Sequence, residues 1–274
     1  MVKMSINKQK HYYRKFIRFF WGSFIFFILG VFILFFGAAL GIYGPMPDLQ
    51  ELENPKTNLA TQIISADGAI LGKYYFNDNR TPIDFDEIPI HMVDALIATE
   101  DERFYEHSGI DWRGTLRAFV YFGKRGGAST ITQQLARQIF VGIRSRNIFK
   151  TILQKAQEWV IAVQLERRYT KKEILAMYLN KYDFGYQADG IRSAAKIFFN
   201  KTPQQLTIEE SATLVGMLKN SSLYNPIRRP ERVRERRNIV FRQMYRNKFI
   251  TSEERDSLSK FPLNINFTPE SHRE

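Results

Sequence analysis

Residues 92–109 read MVDALIATEDERFYEHSG, and this stretch opens the helical part of the chain. Its first half, residues 92–98, is apolar apart from one aspartate, which predicts a buried helix. Four carboxylates follow, on Glu100, Asp101, Glu102 and Glu106. A carboxylate at the end of an apolar helix is partly desolvated and becomes a better proton acceptor. Glu100 is therefore a candidate general base, although an acidic patch at a helix end is more often an ordinary solvated surface.

The chain after residue 85 has a helical pattern with clear helix starts. Three Thr-x-x-Glu sequences, beginning at Thr170, Thr207 and Thr251, are typical of capping boxes. We expect helices near residues 87–99, 111–122, 130–139, 148–168, 171–181, 188–199, 207–219, 230–248 and 252–259. Before them, residues 61–85 predict a short strand pair around Ala66-Asp67-Gly68, because Asp-Gly favours a tight hairpin. The sequence thus predicts a mainly α fold with a small β segment.

The N-terminal end has the pattern of a membrane anchor. Six basic residues precede the first acidic residue, Asp48, and the run from Trp21 to Ile42 carries no charge. Such a run is long enough to cross the roughly 30 Å hydrocarbon core of a bilayer. A cleaved signal peptide is the alternative, but its apolar region typically has only about 7–15 residues. We expect an uncleaved transmembrane helix, with the basic flank in the cytoplasm and the rest of the chain outside.

Composition and charge exclude several kinds of site. The chain has 274 residues, a formal net charge of +12 and no cysteine, so it has neither disulfides nor cysteine-bound zinc. Its four histidines lack the spacing of a histidine-built metal site. Basic residues are concentrated in residues 137–172 and 228–248, which suits anionic lipid head groups or a diphosphate. Nucleic acid is not expected as a partner outside the membrane.

A glycine-rich segment leads into a helix start that is dense in hydroxyls and amides. It runs from Gly126 to Arg137 and contains Ser129, Thr130, Gln133 and Gln134. The free N–H groups of a helix N-terminus suit anionic or sugar ligands. An ordinary Ser/Thr cap accounts for Ser129 or Thr130, but it does not account for the Thr132-Gln133-Gln134 run.

A third group lies on the expected helix 148–168, where Lys155 and Glu158 share a face. A structural ion pair is the simpler interpretation of these two residues. Between the second and third groups, residues 139–150 mix apolar side chains with Arg144, Arg146 and Lys150. This segment suits the head-group region of a membrane, and a plain helix–helix connection is the alternative.

Together these stretches resemble the family 51 glycosyltransferases, the peptidoglycan polymerases. The family pattern Glu-Asp-x-x-Phe-x-x-His-x-Gly is matched by Glu100, Asp101, Phe104, His107 and Gly109. Its Gly-x-Ser-Thr-Ile-Thr-Gln-Gln pattern is matched from Gly127 to Gln134. Its Arg-Lys-x-x-Glu pattern is matched at Lys155 and Glu158, with Gln154 where the family usually has arginine. The resemblance covers about residues 60–250.

The resemblance implies a fold and a reaction. The fold is a lysozyme-like helical domain with a small membrane-associated lobe, attached to the N-terminal transmembrane helix. The substrates are lipid II, a disaccharide-pentapeptide on undecaprenyl diphosphate, and the growing glycan strand, joined by an inverting β-1,4 transfer. Membrane lipids are further partners, and transpeptidase, divisome or elongasome proteins are candidate partners. The location implied is the inner (cytoplasmic) membrane, with the catalytic domain on its outer face.

The resemblance also implies roles for individual residues. Glu100 and Glu158 are the catalytic residues, with Glu100 as the base on the acceptor hydroxyl. Substrate-binding roles fall to Asp101, Phe104, His107, Ser129, Thr130, Gln133, Gln134, Arg137, Arg144 and Lys155. Lys155 and Arg137 would stabilise the departing diphosphate, together with Arg144 or the nearby Arg146. Glu158 would hold Lys155 in place or bind a divalent cation such as Mg²⁺. No organic cofactor is expected.

On this basis the chain divides into five parts. They are a basic cytoplasmic tail (1–20), a transmembrane helix (21–43), a linker with a hairpin (44–85), a glycosyltransferase domain (86–250) and a C-terminal helix with a linker end (251–274). The chain has no Lys-Thr-Gly element of a transpeptidase, so we expect the glycosyltransferase portion of a longer or split protein, with a monofunctional enzyme as the alternative. A lytic enzyme on a related fold and a non-catalytic cell-wall scaffold are the competing functions.

Overall fold

The computed structural model describes residues 2–44, 46–47, 61–64, 66, 70–74, 82–121 and 127–269. By internal contacts the chain forms two compact units. The first comprises Met1–Met46 and Arg144–Val160, and the second comprises Pro47–Ile143 and Ile161–Glu274. The described part is mainly helical, as the sequence predicts.

The first unit contains α1, a helix over Val2–Ala39, and the first part of α5, a helix over Ile148–Arg168. Within α1, the segment Tyr12–Ala39 is the one described helix that is long and apolar enough to cross a membrane. The helix ends at Ala39, short of the expected residue 43, because Gly41 adopts a left-handed φ of 72° that breaks the helical path. Near this end, the Phe35 ring packs against Trp159 of α5 with centroids 5.5 Å apart.

The core of the second unit is built on three helices that pack against one another. They are α2 (Ile90–Glu100), α8 (Ile208–Met217) and α9 (Pro230–Arg246). Apolar side chains are buried on most sides of α2, from Met92 to Ala98, which matches the apolar run in the sequence. Gly216 lets α9 approach α8 closely, since an added Cβ would lie 3.2 Å from Arg236 Cγ.

The remaining helices of the second unit surround this core. They are α3 (Trp112–Val120), α4 (Ile131–Ala136), the last part of α5, α6 (Lys171–Lys181), α7 (Gly190–Phe199) and α10 (Ser252–Leu258). Arg137–Val141 extend α4 by a wide π-helical turn. α4 packs on α6, and α6 packs on α7. The capping boxes predicted at Thr170, Thr207 and Thr251 are all confirmed, with each hydroxyl and glutamate bonded to the expected backbone N–H groups.

The predicted strand pair is present as β1 (Thr61–Ile64) and β2 (Ile70–Tyr74), which pair antiparallel. The Asp67-Gly68 turn lies outside the described residues. The expected helix start at residue 87 is wrong. Phe85–Glu87 form a separate 3₁₀ turn, and Ile88 and Pro89 are extended before α2 begins. Proline disfavours the helical conformation of the residue before it, which explains the break.

Candidate active site

Glu100 is the last residue of α2 and lies in the wall of an open cleft of about 920 Å³ in the second unit. Its side chain is 15% exposed, so the carboxylate is partly desolvated but reachable. The other predicted site residues that line this cleft are Asp101, Ser129, Gln134 and Arg137. The structure therefore brings the acidic motif and the hydroxyl-amide motif into one cleft.

Gln134 holds Glu100 in place through its side-chain amide. Gln134 Nε2 donates to Glu100 Oε2 at 3.0 Å, and Gln134 Oε1 accepts from the Tyr178 hydroxyl at 3.1 Å. Burial, with a smaller effect of the Glu100 charge, raises the pKa of the fully buried Tyr178 phenol well above its usual value. The phenol therefore stays protonated and donates to Gln134 at neutral pH. This chain of hydrogen bonds fixes the amide with its N–H group toward Glu100.

Several cations of the cleft were not predicted from the sequence. Arg236 of α9 places a guanidinium nitrogen 3.9 Å from Glu100 Oε1 and is almost fully buried, and its Nε donates to the Gly216 carbonyl at 3.4 Å. The cleft is also lined by Arg117, Lys219, Gln243 and Arg246. The basic run at residues 228–248 carried the signal for Arg236 and Arg246, whereas Arg117 and Lys219 lie outside it. These cations suit an anionic ligand beside the carboxylate.

Asp101 connects the end of α2 to the start of α4. Its carboxylate accepts the backbone N–H of Ile131 at 3.0 Å and pairs with His107 Nε2 at 3.0 Å. The Asp101 and His107 side chains are only 4% and 7% exposed. Asp101 thus caps a helix start thirty residues further on and fixes the loop that follows Glu100.

Three predicted substrate-binding residues lie inside the protein. Thr130 is the N-cap of α4, where it accepts from Gln133 N–H at 3.1 Å and donates to the Gly109 carbonyl at 2.7 Å. The Gln133 and Phe104 side chains are fully buried. Gly109 has a φ of 88° and lies so close to Ala162 that an added Cβ would be 2.9 Å from its carbonyl oxygen. Gln133 and Phe104 have no accessible surface in this structure and Thr130 has almost none, so a direct ligand contact by these three residues stays a prediction.

In the first unit, Glu158 stands between two cations. Its Oε2 accepts from Lys155 Nζ at 2.7 Å, and its Oε1 is 3.5 Å from an Arg144 guanidinium nitrogen. Glu158 is 2% exposed, whereas Lys155 and Arg144 are 31% and 46% exposed. Gln154 accepts the Ser145 N–H at 2.9 Å, which holds the loop that carries Arg144. In this cluster a buried carboxylate holds two positively charged side chains, both of which are partly exposed.

The expected divalent cation finds no ready ligand set among the residues that the structure describes. No three histidine, aspartate or glutamate side chains come together there as a candidate metal site. Both oxygens of Glu158 already face Lys155 and Arg144. Hard cations prefer several oxygen ligands, so these residues do not fit a directly bound Mg²⁺.

A family model described as "Transglycosylase" matches residues 67–245, which include the Lys155–Glu158 cluster and every residue that lines the Glu100 cleft except Arg246. This chain belongs to the transglycosylase family. The resemblance drawn from the sequence motifs is thereby confirmed. The matched region includes Glu100, Gln134 and Arg137, which line the cleft.

Curated relatives of this chain include penicillin-binding proteins. It is 39% identical over 253 residues to penicillin-binding protein 1A of Escherichia coli, covering 88% of this chain and 29% of the relative. It is 42% identical over 217 residues to penicillin-binding protein 1A of Haemophilus influenzae, covering 78% and 24%. Penicillin-binding protein 1F of Bacillus subtilis is 40% identical over 199 residues, with 71% and 27% covered. The chain thus spans less than a third of the length of these relatives.

A solved structure is also similar to this transglycosylase. The crystal structure of penicillin-binding protein 1A from Haemophilus influenzae matches with 26% identity and a TM-score of 0.45. The match covers 78% of this chain and 22% of the other.

Proposed function

We propose that this chain is a peptidoglycan glycosyltransferase that polymerises lipid II into β-1,4-linked glycan strands. One observation carries the proposal: the Glu100 carboxylate is held by Gln134 in a cleft lined by arginines. Glycosyl transfer from a diphosphate-linked sugar needs both a base and positive charge. Membership of the transglycosylase family supports the same reaction class.

In the proposed mechanism, Glu100 accepts the proton of the acceptor sugar's 4-hydroxyl as its oxygen attacks the donor's anomeric carbon. The bond from that carbon to the diphosphate oxygen breaks, and undecaprenyl diphosphate leaves with the bonding electrons. A direct displacement inverts the anomeric centre and needs no covalent enzyme intermediate. Arg137, at the start of the π-helical turn, lines the cleft with Glu100 and is our choice for the cation that faces the leaving group. The family resemblance implies that Lys155 and Arg144 also stabilise the departing diphosphate, and this stays part of the proposal.

We place the enzyme at the cytoplasmic membrane, with its N-terminus inside and its catalytic domain outside. The apolar Tyr12–Ala39 segment and the basic residues before it support this orientation. The membrane location is also supported by α3, which exposes Trp112, Leu116, Phe119 and Val120. The helix has no acidic residue and exposes Arg113 beside these apolar side chains, as expected of a helix at an anionic lipid surface.

The test is polymerisation of lipid II by the wild-type chain and by Glu100→Gln. We expect polymer from the wild type, and a rate lower by about 10²- to 10⁴-fold in the variant, the usual contribution of a general base. Glu106→Gln is the matched control, because Glu106 is 61% exposed and pairs with Arg113 away from the cleft. Wild-type rates in Glu100→Gln would refute the assignment of the base.

The same assay separates the competing functions. Release of fragments from finished peptidoglycan, with no polymer from lipid II, would indicate a lytic enzyme. Inactivity toward both would indicate a scaffold. We expect Lys155→Ala to lower turnover, and unchanged turnover would move the diphosphate role to another cation. Assaying each variant with and without Mg²⁺ tests whether polymerisation depends on the metal.

A further inference from the structure

Lys171 and Glu166 form an ion pair in the second unit, and neither residue lines the Glu100 cleft. Lys171 is the first residue of α6, and Glu166 lies in the last turn of α5. Lys171 Nζ is 2.9 Å from the Glu166 carboxylate, whose side chain is only 5% exposed. The same ammonium stands 4.3 Å from the centroid of the Phe104 ring. The pair is thus built into the protein and is not a surface ion pair.

One series of hydrogen bonds connects this pair to Glu100 through the loop at residues 101–109, which follows Glu100. Lys171 Nζ donates to the His107 carbonyl at 2.7 Å. The His107 ring pairs with Asp101, the residue next to Glu100, at 3.0 Å. Phe104, under the Lys171 ammonium, anchors the middle of the same loop. Lys171 therefore fixes both the middle and the end of the loop.

A second line reaches Glu100 through α4. Thr132 Oγ1 donates to Glu166 Oε1 at 2.6 Å. Thr132 lies on the short helix α4 together with Gln134, whose amide bonds Glu100 at 3.0 Å. Glu166 therefore sets the position of the helix that holds the carboxylate.

We propose that Lys171 and Glu166 are positioning residues that fix the Glu100 carboxylate for catalysis. The proposal rests on the proposed role of Glu100 as the base. Because both lines start at one ion pair, loss of the Lys171 charge frees the loop and leaves Glu166 buried without its counter-ion. A base that drifts by about 1 Å from its productive place loses on the order of 100-fold in rate. Substrate binding at the cleft surface is unchanged, since neither residue reaches it.

The first experiment compares Lys171→Met, Lys171→Arg and Lys172→Met in lipid II polymerisation. Lys172 is the matched control, because it is exposed on the next position of α6 and its ammonium lies over Phe85. We expect Lys171→Met to lower kcat by about 10- to 100-fold with KM unchanged. Lys171→Arg, which keeps the charge and the donors, should recover part of kcat. Lys172→Met should match the wild type.

Thr132→Val provides a gentler variant, since valine has nearly the same shape and removes only the bond to Glu166. Hydrogen exchange of residues 101–109 in the folded proteins gives a readout that is independent of activity. Faster exchange and a lower kcat in Lys171→Met and Thr132→Val, with melting temperatures well above the assay temperature, support the proposal. Wild-type kcat in Lys171→Met, or a loss that follows the unfolded fraction, overturns it.

Failure of the proposed function is distinguishable from failure of this inference. If the wild-type chain forms no polymer, the proposed function fails, and hydrogen exchange alone then decides the positioning. Unchanged exchange at residues 101–109 in Lys171→Met would overturn it, whereas faster exchange there with Lys172→Met unchanged would support it.

Discussion

At the scale of single residues, Glu100 is defined by its partners more than by its place in the sequence. Three other carboxylates follow it within six residues, yet each has another task. Asp101 caps α4, Glu102 pairs with Arg103 and Arg117, and Glu106 pairs with Arg113 in solvent. Glu100 alone among the four accepts from Gln134 in the cleft. Its partner chain through Gln134 and Tyr178 is therefore the feature to test at this scale.

We expect Tyr178→Phe to reduce turnover by about 3- to 10-fold and stability by about 1 kcal/mol, the cost of a lost buried hydrogen bond. Without the phenol, Gln134 Oε1 loses its donor and the amide is free to turn away from Glu100. Steady-state kinetics and urea unfolding measure the two effects. Tyr182→Phe is the comparison, since its hydroxyl donates to the Met217 carbonyl at 3.0 Å rather than to Gln134, and it should lower stability with a smaller effect on turnover. Equal kinetics in both variants would contradict the role of Gln134.

At the scale of elements, the contribution of a helix cap to stability depends on how deeply the helix that it begins is buried. The Thr207 cap begins α8, in which every residue from Glu210 to Met217 is buried, whereas the Thr251 cap begins α10, which buries none. We therefore expect Thr207→Ala to lower the free energy of unfolding by about 1 kcal/mol. Thr251→Ala should have a smaller effect on global unfolding, because α10 can fray without opening the core. Urea denaturation of both variants checks this, and equal losses would contradict it.

The apolar face of α3 makes a separate prediction for the full chain in lipid vesicles. Trp112 is 66% exposed, and Leu116 and Phe119 continue its face along the helix. With Trp21 and Trp159 replaced by phenylalanine, Trp112 emission should be quenched by brominated lipids, as for an interfacial helix. A Leu116→Ser, Phe119→Ser double variant should lose that quenching. If aqueous iodide efficiently quenches Trp112 emission in the protein that keeps Leu116 and Phe119, α3 is exposed to water and not to lipid.

At the scale of the whole chain, the segment after α10 is part of the second unit. Arg237, almost fully buried in α9, donates to the Phe261 carbonyl at 2.7 Å and the Pro262 carbonyl at 3.1 Å. Burial, with the nearby Arg234 charge, lowers the pKa of this guanidinium. The Phe267 ring packs between Tyr186 and Phe198, at 5.1 and 6.2 Å. The segment thus supplies acceptors and apolar contacts that the helices lack.

Deletion of residues 261–274 should therefore lower the melting temperature, because it removes the two carbonyl acceptors of Arg237 and leaves the guanidinium only its longer bonds to Asn238 Oδ1, at 3.3 and 3.4 Å. Hydrogen bonds to a charged group contribute about 1.5–3 kcal/mol. Arg237→Met tests the cause: it should destabilise the full-length chain more than the shortened one, in which the charge keeps only Asn238 as a partner. Calorimetry of the four proteins measures this coupling, and additive effects would contradict it.

The sequence by itself determined the helices, their capped starts and the apolar N-terminal segment, because these depend on residues within one or two turns of each other. The family resemblance also predicted site roles for Glu100, Gln134 and Arg137, and these three residues line one cleft. It could not separate accessible motif residues from Thr130, Gln133 and Phe104, which are interior supports of the same motifs.

Only the tertiary structure decided the partners of Glu100. Arg236 follows Glu100 by more than a hundred residues and reaches it because α9 packs on α2. Likewise, Asp101 caps a helix start that is distant along the chain, and Lys171 reaches the His107 carbonyl 64 residues away. Such contacts are set by how buried helix faces pack, and packing depends on the shape of the whole core and not on local sequence. For this reason the sequence could identify the carboxylate, while its hydrogen-bond donors and neighbouring cations emerged only from the fold.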